Sequence, residues 1–294
     1  MSFQWGSRTY IMGILNITPD SFSGDGLIPP SAPDWTTQEL LSSALTQAGD
    51  FLSAGADLLD VGGESSRPGA LPVTVEEEID RVVTVIQSIA TVFPDAFLSV
   101  DTYRAAVAEA ALQAGARMVN DVWGFKADPD LAGVVARHSV PVVLMHNRSS
   151  WANAEIQTRL GGRYIGMPYD NLIEDVKREL VESVAIAHAA GIPDTDILLD
   201  PGIGFGKTVE QNLELLDRLG EIKALGYPVL LGPSRKSFIG YTLNLPMDQR
   251  LEGTAAAVAI GIARGADIVR VHDVAYMTRV VKMADAITRG KNRG

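Results

Sequence analysis

Short runs of consecutive apolar residues recur along the chain and predict buried strands. Three stretches, residues 47–63, 107–124 and 257–274, share one order: an alanine-rich helix, a glycine where the helix ends, and a short strand of leucine and β-branched residues. A glycine just past a helix suits the left-handed cap that other residues adopt at a cost. A strand without polar alternation is typical of a parallel sheet that is covered on both faces. The repeated order therefore predicts a parallel α/β fold.

The same reading of the whole chain predicts eight strands with helices between them. The strands lie at residues 11–15, 58–61, 97–100, 118–119, 141–145, 197–199, 228–231 and 268–271, and helical patterns include residues 74–91, 172–190 and 209–225. Eight alternations without a break in composition favour one closed (β/α)8 barrel, a single domain over residues 1–294 with a core of about 10–282. A doubly wound open sheet is the alternative. Residues 147–166 lack the pattern and predict a long loop after the fifth strand.

Composition and charge narrow the classes of function. The chain has 294 residues, 46% of them hydrophobic, and no cysteine, which excludes disulfides, thiolate metal sites and a cysteine nucleophile, and is consistent with a cytoplasmic protein. The formal net charge of −11 argues against nucleic acid and anionic membranes as partners. No apolar run reaches the roughly 18 residues of a transmembrane helix, and the first ten residues do not resemble a secretory signal. We therefore expect small-molecule partners.

Polar side chains follow every predicted strand, at the edge where the catalytic groups of barrel enzymes collect. In strand order they are Asn16, the 62–69 segment, Asp101, Asn120, His146, Asp200, Lys236, and Arg270 with His272. One polar strand end is explained by contact with water alone. Eight that converge on one rim predict a binding site.

The basic members of this rim predict a phosphate site. Residues 234–237 (SRKS) follow the seventh strand, and the eighth carries Arg270 with His272 two residues later. The loops after strands seven and eight are the usual phosphate site of this fold, and arginine donates charge-assisted hydrogen bonds to phosphate oxygens. The alternative for Arg235 is a pairing with a nearby acid.

The acidic and amide members predict a flat, nitrogen-rich ligand. Asp101, Asn120 and Asp200 would be costly to bury without partners, and a purine- or pterin-like ring would supply donors and acceptors to them. In the absence of ligand the carboxylates would pair with Lys236 or Arg270. The 201–208 loop nearly matches a P-loop, but Pro201 replaces the first glycine and the glycines alternate, so we reject a nucleotide motif. We expect this loop to turn tightly and present Phe205 to a ligand, and the 62–69 loop to close over an anion.

With these motifs in this order, the chain resembles the dihydropteroate synthases, a family of pterin-binding barrel enzymes. The resemblance runs from about residue 10 to 282. The motifs that carry it are 12–23 (MGILNITPDSFS), 62–69 (GGESSRPG), 99–102 (SVDT), 120–122 (NDV), 200–207 (DPGIGFGK), 232–240 (GPSRKSFIG) and 270–273 (RVHD).

The resemblance implies a transferase that condenses 6-hydroxymethyl-7,8-dihydropterin diphosphate with p-aminobenzoate, uses Mg²⁺ and is inhibited by sulfonamides. The pterin ring would be held by Asp101, Asn120, Asp200 and Lys236, with Arg270 stacked on it and Met145 lining the pocket. The diphosphate would be bound by Asn16, which also binds Mg²⁺, and by Arg270, His272, Ser66 and Arg67. The p-aminobenzoate site would be framed by Phe205, Pro68, Lys236 and Ser237, with Phe22 closing over it. Of these, Asp101, Lys236 and Arg67 would be catalytic.

The chain departs from the family in three places, and other functions are also weighed. Many relatives carry threonine where Ser66 stands. Many have an aspartate directly after the serine at 23, whereas here Gly24 intervenes before Asp25, so the resemblance does not assign Asp25 as a metal ligand. Residues 147–149 also differ. The alternatives are a pterin-binding methyltransferase, a Schiff-base aldolase that uses Lys236, and a non-catalytic paralogue. The alanine- and glycine-rich helix at 253–265 would pack onto the barrel or against a second subunit, and we favour a homodimer.

Overall fold

The computed structural model describes residues 3–18, 37–65, 73–165 and 167–290 and confirms the predicted barrel. The strands in this part of the chain are β1 (Tyr10–Asn16), β2 (Leu58–Gly62), β3 (Phe97–Asp101), β4 (Met118–Asp121), β5 (Val142–Met145), β6 (Ala154–Gln157), β7 (Gly161–Tyr164), β8 (Ile197–Asp200), β9 (Leu230–Leu231) and β10 (Ile268–Val271). All but β6 and β7 run parallel, in the order β8, β5, β4, β3, β2, β1, β10, β9. A parallel bridge between Leu199 and Val229 joins the two ends of this order, so the ring closes.

Helices cover the outside of the ring. They are α1 (Thr37–Ser53), α2 (Val75–Val92), α3 (Ala105–Ala114), α4 (Leu131–His138), α5 (Leu172–Ala189), α6 (Val209–Asp217), α7 (Leu219–Lys223), α8 (Ser237–Leu243), α9 (Leu251–Ala263) and α10 (Val274–Thr288). Thr74 caps α2 by accepting a hydrogen bond from the Glu77 N–H, and Thr208 forms a capping box with Gln211 at the start of α6. No helix in the described ranges is long and apolar enough to cross a membrane.

Two predicted segments differ in the structure. The helix predicted over 209–225 is interrupted at Arg218, whose backbone leaves helical geometry, and the buried side chains of both pieces still reach the same core. The loop predicted at 147–166 contains an antiparallel hairpin, in which Ala154 pairs with Tyr164 and Gln157 with Gly161. Each strand of this hairpin has only four residues, too few for a period-two pattern to stand out in the sequence.

The barrel interior is apolar at the amino ends of the strands. Alternate strand residues point outward against the helices, and the others point inward. The inward set packs as one cluster, formed by Tyr10, Met12, Leu58, Phe97, Met118, Val143, Leu198, Leu230 and Ile268. The rings of Phe3 and Trp5 stack 4.6 Å apart and pack against this cluster. The floor of the barrel is therefore closed to water.

The next inward layer lies two residues further along each strand, and most of its side chains are polar. It comprises Asp60, Ser99, Asn120, Asp200 and Arg270, with Ile14 and Met145 as apolar members. Because every second side chain points inward, the strands line the barrel with an apolar floor at their amino ends. The polar layer above it forms a cup at their carboxyl ends. The cup opens at the carboxyl ends of the strands, where the predicted site residues lie.

Candidate active site

Arg270 on β10 is bound to acidic residues from two other strands. Its Nε donates to Asp60 Oδ2 at 2.6 Å, and its Nη2 donates to Asp101 Oδ2 at 2.6 Å. Asn120 on β4 also donates to Asp60 Oδ2, at 2.9 Å. The other oxygen of Asp60 is buried and has no hydrogen-bond partner among the described residues. Four strands thus contribute to one charged network inside the barrel.

This network changes the proton affinity of Asp101. Burial raises its pKa to about 7, the adjacent Arg270 opposes this rise, and the negative charge of Asp60 adds to it. A carboxyl group with this pKa changes its charge near neutral pH. Asp60 was missed in the sequence analysis because it lies inside a strand. The clue was a carboxylate two residues after Leu58 in an otherwise apolar run, which puts it on the inward face.

Asp200 and Lys236 form a second charged pair across the cup. Asp200 Oδ1 accepts a hydrogen bond from the Gly202 N–H at 2.7 Å, and burial raises the pKa of this carboxyl against the influence of Lys236. Lys236 Nζ donates to the Ile203 carbonyl and lies 4.5 Å from the centre of the Phe205 ring. Burial lowers the pKa of Lys236 to about 8, although Asp200 favours its charged form. A cation, a carboxylate and an aromatic ring therefore meet at one place.

The loop after β8 turns as the sequence predicts. Gly202 and Gly206 both have positive φ, 72° and 60°, and lie against the backbone of residues 146–149. A Cβ on Gly202 would overlap the His146 carbonyl oxygen, and one on Gly206 would overlap the backbone of Arg148. Only glycine fits such an approach. Lys207 turns inward and donates to the Gly202 carbonyl at 2.9 Å, unlike a P-loop lysine, which extends toward phosphate.

A buried polar chain lies beneath this loop. Lys207 Nζ is 2.9 Å from His146 Nδ1, and His146 Nε2 is 3.1 Å from Glu179 Oε2. Arg148 pairs with the same glutamate, its Nε donating at 3.0 Å. His146, predicted at the rim, is instead buried under the loop. The roles of Lys207 and Glu179 were missed, because a helical glutamate and a loop lysine are ordinarily exposed.

Two basic side chains of the rim, Arg235 and His272, are already paired with other residues. Arg235 makes a two-pronged ion pair with Asp273 at 2.9 and 2.5 Å, as the alternative for this residue predicted. His272 Nδ1 lies 2.9 Å from Ser234 Oγ.

The position of Asn16 follows from its distance to Gly62. A Cβ placed on Gly62 would be 3.9 Å from Asn16 Oδ1 and 3.7 Å from Asp101 Oδ2. Asn16 therefore lies beside the acidic network, across the open space that the glycine leaves.

The structure brings most of the predicted site residues together. Contacts link Asp101, Asn120 and Arg270 in one group and Asp200, Lys236 and Phe205 in another. Met145, buried at the end of β5, pairs in register with Asp200, and Ser237 follows Lys236 directly. The remaining predicted residues, Phe22, Ser66, Arg67 and Pro68, and also Asp25, lie outside the described residues.

Comparison with known proteins identifies relatives over almost the whole chain. A family model described as "Pterin binding enzyme" matches residues 12–272. The dihydropteroate synthase of Clostridium beijerinckii is 50% identical over 288 residues, which cover 98% of this chain and 97% of the relative. A crystal structure of dihydropteroate synthase from Clostridium difficile, in the presence of pteroic acid, superposes with a TM-score of 0.86 at 44% identity, covering 98% and 100% of the two chains. That of Yersinia pestis, in a sulfonamide drug complex, gives 0.84 at 40% identity, covering 97% and 95%.

Proposed function

The chain belongs to the pterin-binding enzymes and, among them, to the dihydropteroate synthases, and we propose that the residues gathered in its barrel cup carry out the family reaction. The enzyme transfers the 7,8-dihydropterin-6-ylmethyl group from its diphosphate to p-aminobenzoate and releases diphosphate, a step of folate biosynthesis. The observation that carries the residue roles is the network in which Arg270 joins Asp60 to Asp101. The near-full-length identity to named synthases favours this reaction over a methyl transfer.

The polar layer of the cup matches the edge of a pterin ring. Asp101 and Asp200 would accept hydrogen bonds from the ring N–H and amino groups, while Asn120 and Lys236 would donate to its carbonyl and ring nitrogens. Met145 supplies the apolar wall. Asp60 and Asp101 hold the guanidinium of Arg270 through two different nitrogens, so its plane is fixed before the ligand arrives. A fixed, planar cation is suited to stack on the flat ring.

The reaction breaks a carbon–oxygen bond, and the electron pair leaves with the diphosphate. The methylene carbon becomes cationic, and the pterin ring delocalises that charge. The lone pair of the p-aminobenzoate amine then forms the new carbon–nitrogen bond, and the amine loses a proton. Asp60 and Asp101 lie where they would stabilise the cation, while Arg270 and His272, together with Ser66 and Arg67, would receive the charge of the leaving group. Groups preorganised in this way each contribute about 3–4 kcal/mol.

The donor set fits Mg²⁺ at Asn16. No group of three or more His, Asp or Glu side chains in the described ranges could hold a metal by itself. Mg²⁺ commonly takes only one or two protein oxygens and completes its shell with water and substrate phosphate. The Asn16 amide oxygen is a donor of the right kind, and it lies beside the acidic network. When bound, Mg²⁺ would neutralise charge on the diphosphate, and Asn16 would hold it there.

The second substrate would enter beside Phe205. This ring is in contact with Lys236, and Ser237 supplies a hydroxyl at the start of α8. Pro68 and Phe22 would complete the aromatic slot. Sulfonamides carry the same aniline ring, so we expect them to compete with p-aminobenzoate and not with the pterin diphosphate. Initial-rate inhibition patterns distinguish the two cases.

Turnover tests the proposed function directly. Purified, folded protein supplied with Mg²⁺ and the pterin diphosphate should release diphosphate over many turnovers only when p-aminobenzoate is added, and dihydropteroate should form in equal amount. Omission of p-aminobenzoate is the matched control. Failure to release diphosphate with both substrates present would overturn the assignment.

We further infer that two copies associate through α9 and α10. These helices pack together and expose Ile260 (47%), Tyr276 (37%), Met283 (63%) and Ile287 (60%). Tyr276, Met283 and Ile287 follow one another at helical spacing on one face of α10, and an exposed apolar face favours an interface with a second copy. Sedimentation at micromolar concentration should give a dimer, and Met283→Glu should give a monomer; a monomeric parent protein would refute the inference.

We also propose a cytoplasmic location, since a diphosphate substrate does not cross bilayers unaided, and cell fractionation would test it.

A further inference from the structure

Lys207 is a buried charge that cannot touch substrate. Its side chain is 2% exposed and lies beneath the turn formed by residues 202–206. Its Nζ has three neighbours at hydrogen-bond distance: the Gly202 carbonyl at 2.9 Å, the Phe205 carbonyl at 3.0 Å and His146 Nδ1 at 2.9 Å. An ammonium has three N–H donors, whereas a neutral amine has two. The number of acceptors therefore suits the charged form.

The protonation states of His146 and Glu179 also indicate that Lys207 is charged. Burial by itself would raise the pKa of Glu179, but hydrogen bonds from His146 and Arg148 outweigh it and hold that pKa well below its usual range. An ionised carboxylate only accepts, so His146 Nε2, 3.1 Å away, must carry the proton. Burial, together with the charge of Lys207, lowers the pKa of His146 to about 4, so the ring has one proton only. His146 Nδ1 therefore accepts from Lys207, which donates to all three neighbours.

The upper side of the same turn faces the active site. The Phe205 N–H donates to the Gly202 carbonyl at 3.1 Å, so the two carbonyls that Lys207 binds are the ends of one turn. On the other side, Lys236 binds the Ile203 carbonyl and lies on the Phe205 ring. Lys207 thus sets from below the positions that Lys236 and Phe205 take above.

We propose that Lys207 is a positioning residue for the p-aminobenzoate subsite: its ammonium, oriented by His146 and Glu179, fixes the turn that carries Phe205. This inference rests on the proposed function, because it concerns how one of the two substrates is held. Of the four proposed pterin contacts, Asp101 and Asn120 come from other strands and Asp200 lies on β8 itself, whereas Phe205 is part of the turn. Loss of the ammonium should therefore weaken binding of p-aminobenzoate much more than binding of the pterin.

The geometry also predicts a pH dependence. Burial lowers the pKa of Lys207 to about 7; the charged groups that face it are Asp200 and Glu179, which favour the ammonium, and Lys236 and Arg148, which oppose it. Above that pH the neutral amine has one donor too few, and one end of the turn is released. The KM for p-aminobenzoate should therefore rise as pH increases through about 7. Glu179→Gln removes one supporting negative charge and should move this rise to lower pH.

The kinetic test uses three variants and both substrates. Lys207→Met keeps the side-chain length and removes every donor. It should raise KM for p-aminobenzoate at least tenfold and change KM for the pterin diphosphate much less. It should also remove the rise near pH 7, while the titration of Lys236 near pH 8 remains. Glu179→Gln should show the shifted pH profile. Glu182→Gln is the matched control, since Glu182 lies on the same helix, is 54% exposed and pairs with Lys126. Its profile should match that of the parent enzyme.

A spectroscopic test does not need turnover. The chain has four histidines, so nitrogen-15 NMR with His146→Gln for assignment can identify the ring. We expect the Nε2–H tautomer, neutral down to about pH 5; the Nδ1–H tautomer would overturn the inference. Equal changes in both KM values, or none, in an active Lys207→Met enzyme would overturn the inference and leave the proposed function intact. An inactive parent enzyme would overturn both. If Lys207→Met does not fold, the Glu179→Gln profile decides.

Discussion

Lys236→Met separates the catalytic value of a buried cation from its cost to stability. Methionine keeps the unbranched stem that packs at Gly204, but it removes the charge beside Asp200 and the donor to the Ile203 carbonyl. If Lys236 contacts the pterin ring as proposed, kcat/KM for the pterin diphosphate should fall at least tenfold. The free energy of unfolding at pH 7 should not fall, because the folded protein holds this charge at a cost.

The size of that cost follows from the pKa. Burial lowers the pKa of Lys236 from 10.5 to about 8. At about 1.4 kcal/mol per pKa unit, the folded protein loses about 3 kcal/mol by keeping the ammonium at pH 7. Between pH 8 and 10.5 the unfolded chain binds this proton and the folded chain does not, so the free energy of unfolding rises with pH over this window. The parent protein should therefore gain about 2 kcal/mol relative to Lys236→Met between pH 7 and 9.5.

Urea unfolding at several pH values, with steady-state kinetics on the same samples, measures both effects. Lys282→Met is the control, because it removes an exposed lysine on α10, away from the cup. Unchanged kcat/KM in Lys236→Met would refute the role of this lysine. A stability difference that stays constant from pH 7 to 9.5 would refute the reasoning on burial.

Two further substitutions test the loop and the acidic network. Gly202→Ala places a Cβ against the His146 carbonyl at a positive φ and should lower the free energy of unfolding by about 2 kcal/mol or more. Gly226→Ala is the control, because Gly226 has a φ of 96° but faces open space; it should cost about 1 kcal/mol. Equal urea midpoints would contradict the role of the close approach. Asp60→Asn keeps the shape but removes the charge that orients Arg270, so kcat/KM should fall at least tenfold while circular dichroism is unchanged; full activity would show that this anchoring is unnecessary.

The sequence alone was sufficient for the architecture and for the rim. Consecutive apolar residues bounded by helix-ending glycines predicted eight parallel strands, and the structure contains them in a closed ring. Asp101, Asn120, Asp200 and Arg270 could be named because each lies at or near the end of a strand, and a parallel barrel brings all such ends to one edge. The turn at residues 202–206 was predicted from its alternating glycines, since few other residues adopt positive φ.

Only the tertiary structure decided which of these groups bind one another. Asp60 and Arg270 are 210 residues apart, and their hydrogen bond exists because β1 lies between β2 and β10 in the closed sheet. Lys207 lies in a loop, and its burial against His146 follows from packing between two loops, which no local sequence pattern records. Strand and turn preferences act over a few residues and can be read along the chain. Charge pairing depends on distances across the barrel, and these are set only when the ring has closed.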